Sequence, residues 1–292
     1  MSPTLDHIII LLPYASLVNP PSWLTENFTI TPGGKHGDGK TENKLVCFRD
    51  GTYIELIAFI DDDPKKRLGH WWDKEFGIVD FSFAHSDGDA TVHFSELEER
   101  LKSLDWGGGG IEVAYEEPQT GARMRPDEQE VKWQVTFPVV TTGYQRGELP
   151  FFTHDITPRP LRAPFSEESV THPSSALGVK SLTNFIQVSK SSALARGYSA
   201  ILGVSNLATE EDSQELGIFE VPGAKETEGG HKAKIYLKAP NNEPQLEQME
   251  RRGGSMLGDL ILGVSAVSGA SKYPKRIDIS DGGIGGVLLD LC

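Results

Sequence analysis

Cysteine is scarce, with two residues in 292, Cys47 and Cys292. Cys47 lies in the apolar stretch LVCF and reads as a small buried hydrophobe, and Cys292 is the last residue, so no disulfide framework is encoded. The count suits a reducing compartment, and a cytoplasmic location is the expectation. Long apolar runs are missing as well: none approaches the ~20 residues of a membrane span. The N-terminal stretch MSPTLDHIIILLPYASL has no basic flank and is interrupted by Asp6 and His7, so it reads as a strand of the mature protein rather than a leader. Basic charge is in deficit, 28 Lys and Arg against 42 Asp and Glu, for a net charge of −14. That balance disfavours phosphate backbones and anionic membrane surfaces as main partners. Several catalytic signatures are absent too: HExxH, a phosphate-binding Walker loop, a dinucleotide fingerprint and a nucleophile elbow. The glycine-bearing DGGIGG near the end has the wrong context for a phosphate loop and reads as a turn.

What is present is ordinary globular composition, 38% hydrophobic and 24% charged, arranged as a weak internal repeat. The first unit opens with strand LDHIIILLP, passes a helical or irregular LVNPPSWLTENF and a Gly-rich turn, and closes with strands KLVCF and TYIELIAF. The second opens with IVDFSFAH and continues into the helix ATVHFSELEERLKSL, where Phe94, Leu97, Leu101 and Leu104 recur at helical spacing. Strands IEVAYEEP, VKWQVTFP and ELPFFTHDI follow. The third opens with LTNFIQV, and its helix ends at Gly203, a C-cap residue; strands LGIFEVPG, KAKIYLKAP and GDLILGVSA complete it. The expected organisation is therefore a first module over residues 1–62, a second over 63–160, a Pro/Ser/Thr-rich linker over 161–179, and a third module with a tail over 180–292. The fold class is α+β, with β-α-β-β-β modules pairing into curved mixed sheets around a concave cup, where a ligand would sit.

One strand raises a chemical question. GTYIELIAF, residues 51–59, is apolar on both faces yet carries Glu55 at its centre. A carboxylate in a strand covered on both sides costs several kcal/mol unless it is paired, protonated or bound to a metal.

The pairing of LDHIII with DGTYIELIAF resembles the vicinal oxygen chelate superfamily, and more narrowly its glyoxalase-like domain proteins. Further matches are GGKHGDGKTENKL (33–45), GHWWDKEFGIVDFSF (69–83), GARMRPDEQEVKWQVTFP (121–138), RGELPFFTHDITPRPLR (146–162) and THPSSALGVKSL (171–182). The resemblance implies a cup holding a divalent metal, with ligands from the first and last strands of two modules. It assigns His7 to the first-strand position and Glu55 to the last-strand position of the first module. Strand alternation agrees, putting His7 on a face with Leu5 and Ile9, and Glu55 on one with Tyr53 and Ile57. A neutral imidazole and a carboxylate suit Zn, Fe, Mn or Ni. In the second module the matching positions fall near Asp80 and in PFFTHD, where Phe152 or His154 is available. His154 and Asp80 are therefore the expected completing ligands, with His154 also a general base.

Other residues carry two readings each. His36 in the Gly-rich loop and Asn43 beside it either orient substrate or shape a turn. Arg123 and Arg125 either clamp a carboxylate or phosphate or pair with Asp127 and Glu130. Trp133, with Trp71 and Trp72, either lines an aromatic pocket or fills the core. His172 is expected to be exposed in the linker.

The resemblance thus implies a metal-assisted enzyme of lyase, isomerase or oxygenase type acting on a carbonyl or vicinal-oxygen compound, and not glyoxalase I proper. The alternative is a metal-free small-molecule binding protein with the same fold, in which Glu55 pairs with Arg123 or Arg125. A monomer and a homodimer are both compatible with such modules.

Overall fold

The strand that begins the chain is apolar on both faces because both are covered. Ile9 and Leu11 face one cluster of buried side chains with Ile57, Phe59, Val79 and Phe151. Ile8 and Ile10 face another with Ile54, Leu56, Phe81, Leu182 and Tyr198. The first cluster continues into aromatic residues that pack on it, Trp72 and Phe137; the second joins these first strands to residues of the C-terminal part of the chain. A computed structural model describes residues 3–85, 89–106, 112–139, 143–209, 215–224, 232–265, 273–278 and 286–292.

The first module comprises β1 (Thr4–Leu11), short helices α1 (Tyr14–Val18) and α2 (Ser22–Thr25), then β2 (Thr31–His36), β3 (Thr41–Cys47) and β4 (Tyr53–Phe59). Helix α3 (Pro64–Arg67) leads into the second: β5 (Gly77–Ala84), α4 (Ala90–Lys102), β6 (Gln119–Met124), β7 (Glu130–Thr136) and β8 (Phe151–Asp155). Asp89 starts α4 by accepting from the Thr91 N–H, and Leu97 and Leu101 bury its inner face. After α5 (Arg159–Arg162) come β9 (Ala176–Ile186), α6 (Ser191–Leu202), β10 (Glu215–Pro222), β11 (Lys232–Lys238), α7 (Glu243–Arg251), β12 (Ser255–Val264), β13 (Lys275–Arg276) and β14 (Val287–Leu291). Gly203 ends α6 in the left-handed conformation at φ 65°.

The two modules close an eight-stranded barrel within one chain, in the order β1-β4-β3-β2-β6-β7-β8-β5. Within each module the first and last strands are parallel, β1 with β4 and β5 with β8, and the modules join through antiparallel β1 and β5. The α+β architecture of curved sheets around a cup is the one expected. Among the described residues no helix is long and apolar enough to cross a membrane.

Several segments differ from the sequence reading. The Gly-rich stretch before Asn43 is largely strand β2, paired with β3 and β6. The second strand of the second module begins at Gln119, after IEVAYEEP, of which Tyr115 makes a bridge to Pro138. The strand expected to finish the third unit, β12, runs antiparallel to β9 and parallel to β14, while β11 takes the parallel place beside β9. The resulting sheet, β10-β11-β9-β12-β14-β13, repeats the arrangement of β3-β4-β1-β5-β8-β7. Strand spacing along the chain cannot distinguish these partners, because pairing direction is set by non-local contacts. His172 is also not exposed: its ring is buried, accepting from the Thr29 N–H at 3.1 Å and donating to the Cys47 carbonyl at 2.9 Å. His231 and residues 281–285 of the glycine turn lie outside the described residues.

Candidate active site

The barrel opens into a cup of about 500 Å³. Its reactive edge is built from β1, β2, β3 and β4. His7 projects from β1 and stacks on Tyr53 of β4, ring centroids 4.6 Å apart. Behind it, His7 Nδ1 meets Asp6 Oδ2 at 2.7 Å. Asp6 is wholly buried, which by itself raises its pKa. The guanidiniums of Arg159 and Arg162 and the His7 hydrogen bond outweigh burial and hold it well below the usual carboxylate range. An ionised Asp6 only accepts, so His7 Nδ1 carries the proton there and Nε2 is the nitrogen turned to the cup.

Glu55 is 5% exposed. Asn43 Nδ2 donates to its Oε1 at 2.6 Å. His36 Nε2 lies 3.5 Å from the same oxygen, and His7 Nε2 lies 3.5 Å from Oε2. The Asn43 carbonyl in turn accepts from the Gly34 N–H at 3.0 Å and from Arg123 Nη1 at 3.2 Å. One amide therefore links a buried carboxylate to a buried guanidinium without direct contact between them. His36 is held at Nδ1 by the Thr41 hydroxyl at 2.7 Å. Burial lowers its pKa, with Arg123 adding to the effect and Glu55 opposing it, so the ring is the neutral imidazole.

The walls are aromatic. Trp71, Trp72, Trp133, Phe137 and Phe151 line the cup. Trp133 meets His36 edge-on at 6.0 Å, and Gly121 leaves room for it, since a Cβ there would lie 2.6 Å from the Trp133 indole nitrogen.

Of the residues singled out by sequence, the structure brings His7, Glu55, His36, Asn43, Arg123 and Trp133 to this cup. It does not bring the other three. His154 points out of the barrel toward α4, where its ring lies 5.1 Å from that of His93; Phe151 and Thr153, the alternate residues of β8, face the cup. Asp80 sits opposite Ile9 rather than His7 and is engaged by the Trp71 indole N–H at 2.6 Å and the Phe81 N–H at 2.9 Å. Burial raises its pKa, against the pull of Lys74 and Trp71. Arg125 lies outside, paired with Asp127 at 3.0 Å.

The strand register explains these differences. His7 pairs with Tyr53 and Ile9 with Glu55 in the first module; Ser82 pairs with Phe151 and Ala84 with Thr153 in the second. His7 also stands directly opposite Ser82. The second-module equivalents of His7 and Glu55 are therefore Ser82 and Thr153, whose hydroxyls bond each other at 2.8 Å. A one-residue slip in counting along β8 exchanges Thr153 for His154 and reverses the face. Sequence reasoning also passed over Asp6, Tyr53, Ser82 and Thr153. Strand parity would have found Tyr53, but the tie between Asp6 and the arginines of α5 is non-local and left no local signal.

The divalent metal implied by the resemblance finds half a site. An imidazole nitrogen and a carboxylate oxygen 3.5 Å apart suit two ligands each about 2.1 Å from a common ion. The other module offers only the paired hydroxyls, and the two histidines address different oxygens of Glu55. Among the described residues no group of three or more His, Cys, Asp or Glu side chains is placed to hold a metal ion. The residues present do not fit a two-module metal centre.

A family model described as a glyoxalase-like domain matches residues 5–202. Comparison with curated proteins returns no match. Among solved structures, a hypothetical protein from Staphylococcus aureus is similar over 99% of this chain and 100% of its own, with a TM-score of 0.68 at 14% identity, a likeness of fold alone. A variant of 4-hydroxymandelate synthase from Streptomyces coelicolor aligns over 91% of this chain and 72% of its own, with a TM-score of 0.49 at 10% identity. The 2,2',3-trihydroxybiphenyl 1,2-dioxygenase of Sphingomonas wittichii aligns over 100% and 91%, with a TM-score of 0.45 at 9% identity. These last two likenesses carry nothing about chemistry.

Proposed function

Since the chain belongs to the glyoxalase-like domain family, within the vicinal oxygen chelate superfamily, we propose that the cup is the active site of an enzyme acting on a small carbonyl or vicinal-oxygen compound. His7 and Glu55 are its reactive pair. The observation that carries this reading is the 3.5 Å gap between His7 Nε2 and Glu55 Oε2. Each group is locked from behind, His7 by Asp6 and Glu55 by Asn43, and each turns a polar atom to the space between them. Two such groups call for a proton or a cation. A substrate whose hydroxyl or acidic C–H enters that gap gives its proton to His7 Nε2, and Asp6 stabilises the imidazolium formed. The tryptophans hold a flat, apolar body against the reactive edge. Two free thiols, one buried and one exposed, suit a reducing compartment, and we read the enzyme as cytoplasmic.

A second reading takes the cation instead. The same gap would receive a divalent metal at His7 and Glu55, which would supply Lewis acidity toward substrate oxygens. Elemental analysis of protein purified without chelator separates the two. Under the first reading, turnover in a screen of hydroxy-carbonyl and catechol compounds resists chelation and falls about 10²-fold or more in His7→Ala and Glu55→Gln. Stoichiometric metal, lost in both variants, together with chelator-sensitive turnover supports the second. Saturable ligand binding with no turnover, unchanged in both variants, would sink the enzymatic reading.

A further inference from the structure

Between the barrel and the C-terminal sheet lies another cavity, of about 770 Å³, which shares no lining residue with the cup. Five of the side chains around it are cations, Lys74, Arg146, Lys190, Arg251 and Arg252, against two acids, Asp73 and Glu75. In a chain of net charge −14 this is a local reversal of sign.

The acids nearby do not balance it. Asp73 is turned to Arg67 at 3.1 Å. Glu75 is shared between Arg251 at 2.9 Å and Arg252 at 3.6 Å. Lys190 is matched by Glu148 at 3.1 Å. The Arg146 guanidinium leaves for the cup side, where it lies over the Trp71 ring and donates to the His70 carbonyl. Lys74 is left with no carboxylate in direct contact, and Arg252 has only the carboxylate it shares with Arg251. The Lys74 ammonium donates to two neutral acceptors, the carbonyls of Val79 and Arg146. Burial, with Arg146 and Arg252 adding to it and Asp80 opposing, pushes its pKa down to about 8. The Arg252 guanidinium likewise donates to neutral acceptors, the carbonyls of Ile78 and Phe76, and its Nε–H lies 3.6 Å from Glu75, beyond hydrogen-bond reach. Two half-buried cations on one cavity wall, hydrogen-bonded mainly to neutral carbonyls and with one shared carboxylate between Arg251 and Arg252, leave an excess of positive charge that a bound anion would relieve.

We propose that this cavity binds a phosphate-bearing small molecule, its phosphate on Lys74 and Arg252 with Lys190 and Arg251 at the edge. A tetrahedral oxyanion offers acceptors in several directions, matching cations delivered by three separate segments: the approach to β5, the start of α6 and the end of α7. A planar carboxylate is satisfied by one bidentate partner. The volume leaves room for an organic portion beyond the phosphate.

Titration calorimetry of the full chain with pyrophosphate, inorganic phosphate and citrate, at ionic strength fixed with sodium chloride, tests this. Saturable one-site binding of pyrophosphate is expected, weakened about tenfold or more in Lys74→Met and about threefold in Arg251→Gln, and unaltered in the cup variant Glu55→Gln. Arg251 is largely exposed, so its variant decides the matter if Lys74→Met does not fold. No saturable binding by the wild type overturns the proposal, as does wild-type affinity in Arg251→Gln together with any folded Lys74→Met. Citrate binding as tightly as pyrophosphate overturns the phosphate assignment.

Discussion

Asn43 is the residue on which the site's polar groups depend. Its amide donates to Glu55 and accepts from Gly34 and Arg123, so three buried groups are satisfied by one side chain. Gly33 makes this possible, because a Cβ there would lie 2.0 Å from the Asn43 oxygen. Gly33→Ala should displace the amide and remove the Asn43 hydrogen bonds to Glu55 and Arg123, a loss of about 2–4 kcal/mol. Urea denaturation reads this directly, and a change under about 0.5 kcal/mol would show that the amide is not pinned. Asp6 acts through His7. Asp6→Asn removes the carboxylate charge behind the ring and can turn an N–H toward it, and turnover should fall about 10²- to 10⁴-fold with an altered pH–rate profile. Equal loss with an unmoved profile would instead mean that Asp6 only anchors Arg159 and Arg162.

At the scale of the element, β8 shows what alternation decides. Its cup-facing residues are Phe151 and Thr153; its outward residues, Phe152 and His154, pack under α4 against His93, which also stacks on His85 with ring centroids 4.6 Å apart. Burial, with neighbouring imidazoles adding, lowers His93 to about 3 and His154 to about 4; Asp155 and Asp89 pull the His154 value back up in part. In the unfolded chain both rings take a proton near pH 6.5. The folded state refuses it until pH 4 or below, so the unfolded state binds more protons across that window. Stability should therefore fall as pH drops from about 6.5 to about 4. Denaturant midpoints measured at pH 7 and pH 5 check this. His93→Leu should flatten the dependence, and an equally steep dependence in that variant would assign it to other groups.

For the whole molecule, the C-terminal sheet is structural support for the barrel. Ile8, Ile54, Leu56 and Phe81 on the barrel's outer side share one core with Leu182, Leu194, Tyr198 and Leu260. Tyr198 is fully buried on α6, and its hydroxyl donates to the Glu148 carbonyl at 2.6 Å, just ahead of β8. Tyr198→Ala should cost about 3–5 kcal/mol. A chain ending at residue 175 should be insoluble or loosely packed, with an enlarged hydrodynamic radius. A monodisperse, cooperatively unfolding fragment would show that the barrel stands alone.

The α+β class, the repeated modules and the cup were legible in the sequence, because alternation of apolar residues and helical spacing are local properties. Glu55 drew notice as a carboxylate inside a strand apolar on both faces, His7 was set beside it by the family resemblance, and the structure brings the two together in the cup. Asn43 and Arg123 were visible as residues but not as the bridge they form, since that depends on β3, β4 and β6 meeting around one barrel. Which residues of the second module answer His7 and Glu55 was decided by tertiary structure alone. Register between distant strands is set by packing and bulges, and a slip of one or two residues turns Ser82 and Thr153 into Asp80 and His154. The charge reversal at the seam belongs to the same category: Lys74, Lys190 and Arg252 are far apart in the chain, and only folding gathers these cations around one space.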